Sequence, residues 1–60
     1  MAKVTVYIRT IDPYGRGIGV LPDGTVIIVD DAPVGETVEA EVYAEMRTPA
    51  GRVLFAKRVA

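Results

Sequence analysis

The sequence predicts an all-β domain, a small antiparallel barrel of five strands, and three observations carry that expectation. Apolar and polar residues alternate with a period of two, as in Val4, Val6 and Ile8 against Thr5, Tyr7 and Arg9. Clusters of turn residues recur at short intervals, and no segment shows helical spacing. Glycines 15, 17 and 19 stand at alternate positions in Tyr14-Gly15-Arg16-Gly17-Ile18-Gly19-Val20. Glycine weakens a strand interior and marks a bend, a bulge or a close backbone approach. Three of them beside a hairpin describe a sheet coiled tightly enough to close on itself.

The first strand is expected from about residue 3 to 11, with Val4, Val6 and Ile8 on one face. Asp12-Pro13-Tyr14-Gly15 is a turn, since proline presets φ and glycine accepts the positive one. A short second strand runs from Ile18 to Leu21, and Pro22-Asp23-Gly24 reverses the chain into a third, Thr25 to Val29. Asp30-Asp31-Ala32-Pro33-Val34-Gly35 breaks the pattern. A long fourth strand sets Val38, Ala40, Val42, Ala44 and Met46 against Glu39, Glu41, Tyr43 and Glu45. After the turn Thr48-Pro49-Ala50-Gly51, the fifth strand runs from Arg52 to Val59. Five short strands in a single domain spanning residues 1–60 resemble the small barrels of the OB or cold-shock kind.

A register for the last hairpin follows from matching faces. Pairing Arg47 with Gly51 sets Val42 opposite Ala56 and Ala44 opposite Leu54, all inward, with Tyr43 opposite Phe55 and Glu41 opposite Lys57 outside. An exposed Tyr43–Phe55 pair is the expected consequence.

Sixty residues bury a small core, since a chain of this length covers only roughly 60% of its unfolded surface. The sequence contains neither cysteine nor histidine, so thiolate and imidazole metal sites are excluded and no cofactor is expected. Apolar runs are far shorter than the ~20 residues of a membrane span, and since Met1-Ala2-Lys3 leads directly into strand-like alternation, no secretory signal is expected. A cytoplasmic protein is the expectation. Net charge is −1, but the signs are segregated: Asp30 to Glu45 holds six acids and no base, and Met46 to Ala60 holds four bases and no acid. That pattern reads as a cross-strand ion-pair ladder or as a basic binding face.

Catalysis has little to stand on. Asp30 and Asp31 are neighbours in sequence and would point to opposite faces of a strand, which suits turn formation better than acid–base work. Gly15-Arg16-Gly17-Ile18-Gly19 lacks the following helix of a phosphate-binding loop. No enzyme is expected. Binding of single-stranded nucleic acid needs stacking aromatics beside cations that track phosphates. The candidates are Tyr7 and Arg9 on the first strand, Tyr14 and Arg16 in the glycine turn, Arg47 and Arg52 flanking the last turn, and Phe55 and Lys57 on the fifth strand.

At these residues the chain resembles a TRAM domain, and among them the small stand-alone TRAM proteins of archaea. The shared pattern is Tyr14-Gly15-Arg16-Gly17-Ile18-Gly19, then Asp23-Gly24-Thr25-Val26-Ile27-Ile28-Val29, then Val34-Gly35-Glu36-Thr37-Val38, and last Leu54-Phe55-Ala56-Lys57, covering about residues 4 to 59. The resemblance implies an OB-like barrel that binds tRNA or single-stranded RNA, as a cold-shock-like RNA chaperone does, with Phe55 as a matching aromatic and Arg16 as the base of the turn. The chain departs from the usual pattern at Ile28, where a phenylalanine is common, at Asp30-Asp31, where Pro-Gly is common, and at Val20, where a base is common. The alternative is a structural or protein-interaction barrel, with an apolar patch at Leu21, Val26 and Ile28 serving a partner or weak self-association.

Overall fold

A computed structural model describes residues 2–59. It contains six strands: β1 Lys3–Tyr7, β2 Thr10–Ile11, β3 Gly17–Val20, β4 Val26–Asp30, β5 Thr37–Thr48 and β6 Gly51–Arg58, with no helix among the described residues. They form one curled sheet in the order β1-β5-β6-β4-β3-β2, an all-β, barrel-like half-barrel. The expected closed barrel of five antiparallel strands is corrected on two points.

The first correction concerns the first strand. The segment from residue 3 to 11 is two strands, because the chain changes partners at Ile8 and Arg9. Residues 3–7 pair with β5, whereas Thr10 and Ile11 pair with β3 at the opposite edge of the sheet. Between them, the Ile8 N–H donates to the Glu36 carbonyl at 2.9 Å and the Arg9 N–H to the Ile18 carbonyl at 2.9 Å. A period-two pattern runs through such a bend unbroken, because Ile8 stays inward and is fully buried.

The second correction concerns direction. β4 and β6 are parallel, with Ile27 beside Leu54 and Val29 beside Ala56. β4 leaves by a loop into β5, and β5 pairs with β1 on one side and with its hairpin partner β6 on the other. β6 therefore runs antiparallel to β5 and arrives alongside β4 in the same direction.

The glycine run divides into two tasks. Gly15 takes φ +83° in the β2–β3 turn, a backbone setting that side chains with a Cβ rarely adopt. Gly17 and Gly19 instead face inward, where the bend of the first segment crosses them. A Cβ on Gly17 would lie 2.7 Å from the Ala32 carbonyl oxygen, and one on Gly19 would lie 2.6 Å from the Tyr7 carbonyl oxygen. The curl of the sheet depends on this missing side-chain volume.

The core is Val6, Ile8, Ile27, Val29, Ala32, Val38, Ala40 and Ala56, with Val4, Leu21, Val42 and Leu54 packed against it. Leu21 thus belongs to the interior and leaves the proposed surface patch. The hairpin register holds at Glu41–Lys57 and Val42–Ala56, then shifts by one residue between Val42 and Ala44. Beyond that bulge Ala44 pairs with Phe55, Glu45 with Leu54 and Thr48 with Gly51, which replaces the expected Tyr43–Phe55 and Arg47–Gly51 pairs. The bulge reverses which residues face out, so Ala44 is exposed and Met46 is 48% exposed, not inward. It also turns Glu45 toward the face carrying Arg52, where the two form an ion pair at 3.6 Å.

Candidate nucleic-acid interface

The outer face of β3, β4, β6 and β5 follows from strand alternation. Ile27 and Val29 of β4 are buried, so Val26, Ile28 and Asp30 point outward, each half-buried by its neighbours. Register then extends three rows across the sheet. One row is Val20, Val26, Val53 and Met46, and the next is Ile18, Ile28, Phe55 and Ala44. The third row is charged: Asp30 pairs with Lys57 and Lys57 with Glu41, while Arg16 immediately precedes Gly17, the β3 partner of Val29. Two rows of apolar side chains on a solvent-facing sheet are unusual for a half-covered sheet, which normally alternates apolar-in and polar-out.

Phe55 sits in the middle of this surface, half-buried between Ile28 on β4 and Ala44 on β5. It is on the opposite face from the core, as expected. Tyr43, the bulged residue, reaches across β6, and its hydroxyl donates to Asp30 Oδ2 at 3.1 Å. Its ring therefore crosses the same face. Partial burial, then the hydrogen bond to Asp30 and its charge, raise the Tyr43 pKa above 10, with Arg16 acting in the opposite direction. The phenol stays a donor at neutral pH and holds Asp30 in place. Neither Tyr43 nor Asp30 is among the sequence candidates, because simple alternation does not reveal an aromatic at a bulge.

The glycine turn is organised around the Asp12 carboxylate. Asp12 Oδ1 accepts the backbone N–H groups of Tyr14 at 2.9 Å and Arg16 at 2.8 Å, while Oδ2 accepts Arg16 Nε at 2.7 Å. The Arg16 guanidinium lies 5.4 Å from the centre of the Tyr14 ring, within cation–π range, and Tyr14 is 84% exposed. Burial pushes the Asp12 carboxyl up, but the backbone and side-chain hydrogen bonds from Arg16 and the Tyr14 N–H outweigh it and leave the pKa lowered. A carboxyl whose folded pKa is depressed stabilises the fold above its unfolded value of about 4, and that contribution disappears as pH falls through the folded value. Asp12→Asn is therefore expected to be less stable than the parent at pH 7, with the gap narrowing below about pH 4. Urea midpoints measured across that range check this, and a gap independent of pH would contradict it.

The eight candidates do not form one site. Phe55, Lys57, Arg16 and Tyr14 belong to the outer face or its margin. Arg9 joins them at the β3 end, where Arg9, Thr10, Ile18 and Val20 line a shallow cavity of about 320 Å³. Tyr7 is exposed on β1 opposite Thr37, away from the apolar rows. Arg52 shares a face with Leu54 on the other side of the sheet, tied to Asp23 at 3.7 Å, Glu45 at 3.6 Å and the Thr25 hydroxyl at 3.5 Å. Arg47 is at the same hairpin end, 4.0 Å from Glu45. Arg58 lies 3.5 Å from Glu36, which precedes β5, so these cations are ion-paired, but of the pairs named only Arg52–Glu45 joins facing strands and the expected cross-strand ladder is not formed by them. Among the described residues no ion pair within 4.0 Å engages Arg9 or Lys57.

No helix among the described residues is long and apolar enough to cross a membrane. Compared with protein-family models, with curated proteins and with solved structures, the chain gives no match in any of the three.

Proposed function

We propose that this chain is an RNA-binding module of the OB-like, TRAM-like kind, which holds single-stranded RNA or unpaired parts of tRNA on its outer face without reading sequence. The observation that supports it best is Phe55, an aromatic placed outward in the middle of the sheet, with Lys57 two residues away on the same face. A base laid on Phe55 covers apolar surface already present at Ile28 and Ala44, and every base offers a π-face, so such stacking is sequence-tolerant. Lys57, Arg16 and Arg9 stand around that surface to meet the backbone, and Tyr14 offers a second ring beside Arg16. An RNA chaperone needs this kind of weak, general hold.

Three phosphate contacts give a slope of log K against log salt of about −2 for a single strand. Fluorescence anisotropy with labelled oligo-U, at low and at physiological salt, is expected to show binding that weakens along that slope. Absence of binding at low salt, to oligo-U and to tRNA alike, would overturn the reading. A protein-contact role is the second reading, favoured by the two apolar rows on the same face.

A further inference from the structure

We infer that the outer face of β3, β4, β6 and β5 pairs with the same face of a second copy of this chain, about a two-fold axis parallel to the strands. The order of residues in the three rows favours this pairing. Across these four strands the charged row reads Arg16 (just ahead of β3), Asp30, Lys57, Glu41, alternating plus, minus, plus, minus, with Lys3 of β1 continuing it beyond Glu41. A two-fold axis along the strands, between β4 and β6, keeps each row at its own height and reverses its order. Arg16, which keeps its Asp12 partner, then faces Glu41 of the second copy, and Asp30, which keeps the Tyr43 hydroxyl, faces Lys57 of the second copy, so each of the four charges in this row meets its opposite. The apolar rows obey the same operation: Ile28 meets Phe55, Val26 meets Val53, Ile18 meets Ala44 and Val20 meets Met46. An axis across the strands would instead lay the charged row on the valine row. Only the first choice avoids burying unpaired charges, and it matches the aligned packing that sheets adopt face to face.

The size of the face sets the strength. Four strands at about 4.8 Å and three rows at about 6.8 Å give roughly 400 Å² per copy. That is about half of the roughly 800 Å² per partner in a stable complex, so the pairing is weak and concentration-dependent. Because Phe55 lies within it, a second copy and a stacked base exclude one another.

Sedimentation velocity from roughly 0.01 to 1 mM at low salt tests the inference. The unmodified chain is expected to shift from monomer toward dimer over that range. Asp30→Lys and Lys57→Asp each set like charges against one another across the axis and are expected to weaken pairing about tenfold. The double variant D30K/K57D restores opposite signs at every contact across the axis and is expected to recover pairing. Far-UV circular dichroism of each variant confirms folding, and Ile28→Lys, on the same face, is a further monomeric control. A chain that stays monomeric at 1 mM, or a double variant that pairs no better than the single ones, would overturn the inference. The measurement contains no RNA, so its failure leaves the RNA reading standing.

Discussion

Gly19→Ala is expected to produce the largest loss of stability of any single methyl addition in this chain. The added Cβ would lie 2.5 Å from Val6 Cγ2 and 2.6 Å from the Tyr7 carbonyl oxygen. The valine can rotate away, but the carbonyl belongs to the backbone of the bend that joins the two edges of the sheet. Relieving the clash means lifting that bend off β3, which would loosen Val6 and Ile8 in the core. Overpacking of this sort costs about 1–3 kcal/mol, and occasionally more. A domain of this size has only roughly 3–9 kcal/mol to lose. A fall of about 1–3 kcal/mol in unfolding free energy is therefore expected from urea titration. Gly24→Ala is the comparison, since its φ of +90° strains any side chain while the space around it is open. If Gly19→Ala unfolds at the parent midpoint, the close crossing of Tyr7 over β3 is wrong.

Replacing Phe55 is expected to have the largest effect on RNA affinity. Loss of one stacking platform costs about 1–3 kcal/mol, a weakening of roughly 5- to 150-fold. Phe55 is half-buried between Ile28 and Ala44, so Phe55→Ala would also thin the apolar row. Phe55→Leu separates the two effects, because it keeps most of the apolar volume and removes the π-face. It is expected to fold with a near-parental urea midpoint yet bind oligo-U almost as poorly as the alanine variant. Arg16→Ala should act differently, reducing the salt slope by about 0.7 instead of removing a stacked base. Equal affinity of Phe55→Leu and the parent would mean that the ring does not carry the contact.

The parts of the fold visible in the sequence are those fixed by local alternation and turn chemistry. Val6, Ile8, Val38, Ala40 and Ala56 lie inward because each strand is covered on one side only, and period two reports that directly. Asp12-Pro13-Tyr14-Gly15 and Pro22-Asp23-Gly24 turn where their φ preferences require. What escaped depends on contacts distant in sequence. The switch of partners at Ile8 and Arg9 leaves the alternation intact, so one strand was expected where two exist. The parallel pairing of β4 and β6 is decided by which strands end up adjacent, not by any residue within them. The bulge at Tyr43 reverses the facing of Ala44 and Met46, turning two expected core residues into part of the outer surface.

The candidate site was legible to a similar degree. Phe55 and Lys57 were placed on the outer face by parity alone, and the structure keeps them there. Arg47 and Arg52 match them in charge, yet alternation along β6 puts Arg52 on the Leu54 face among Asp23, Glu45 and Thr25, and the bulge in β5 turns Arg47 to that same face. Leu21 shares the hydrophobicity of Val26 and Ile28, yet it packs against the core. Charge and hydropathy identify residue types suited to a surface, whereas register decides which of them share it.

The proposed working surface is the outside of the curled sheet. Backbone amide shifts followed by NMR during an oligo-U titration test it most directly, at protein concentrations low enough to keep the chain monomeric. Shifts are expected to concentrate at Ile18, Ile28, Ala44, Phe55 and Lys57, with the turn from Tyr14 to Arg16 following. Shifts clustered instead at Arg47 and Arg52, or at Tyr7 and Thr37, would contradict the account.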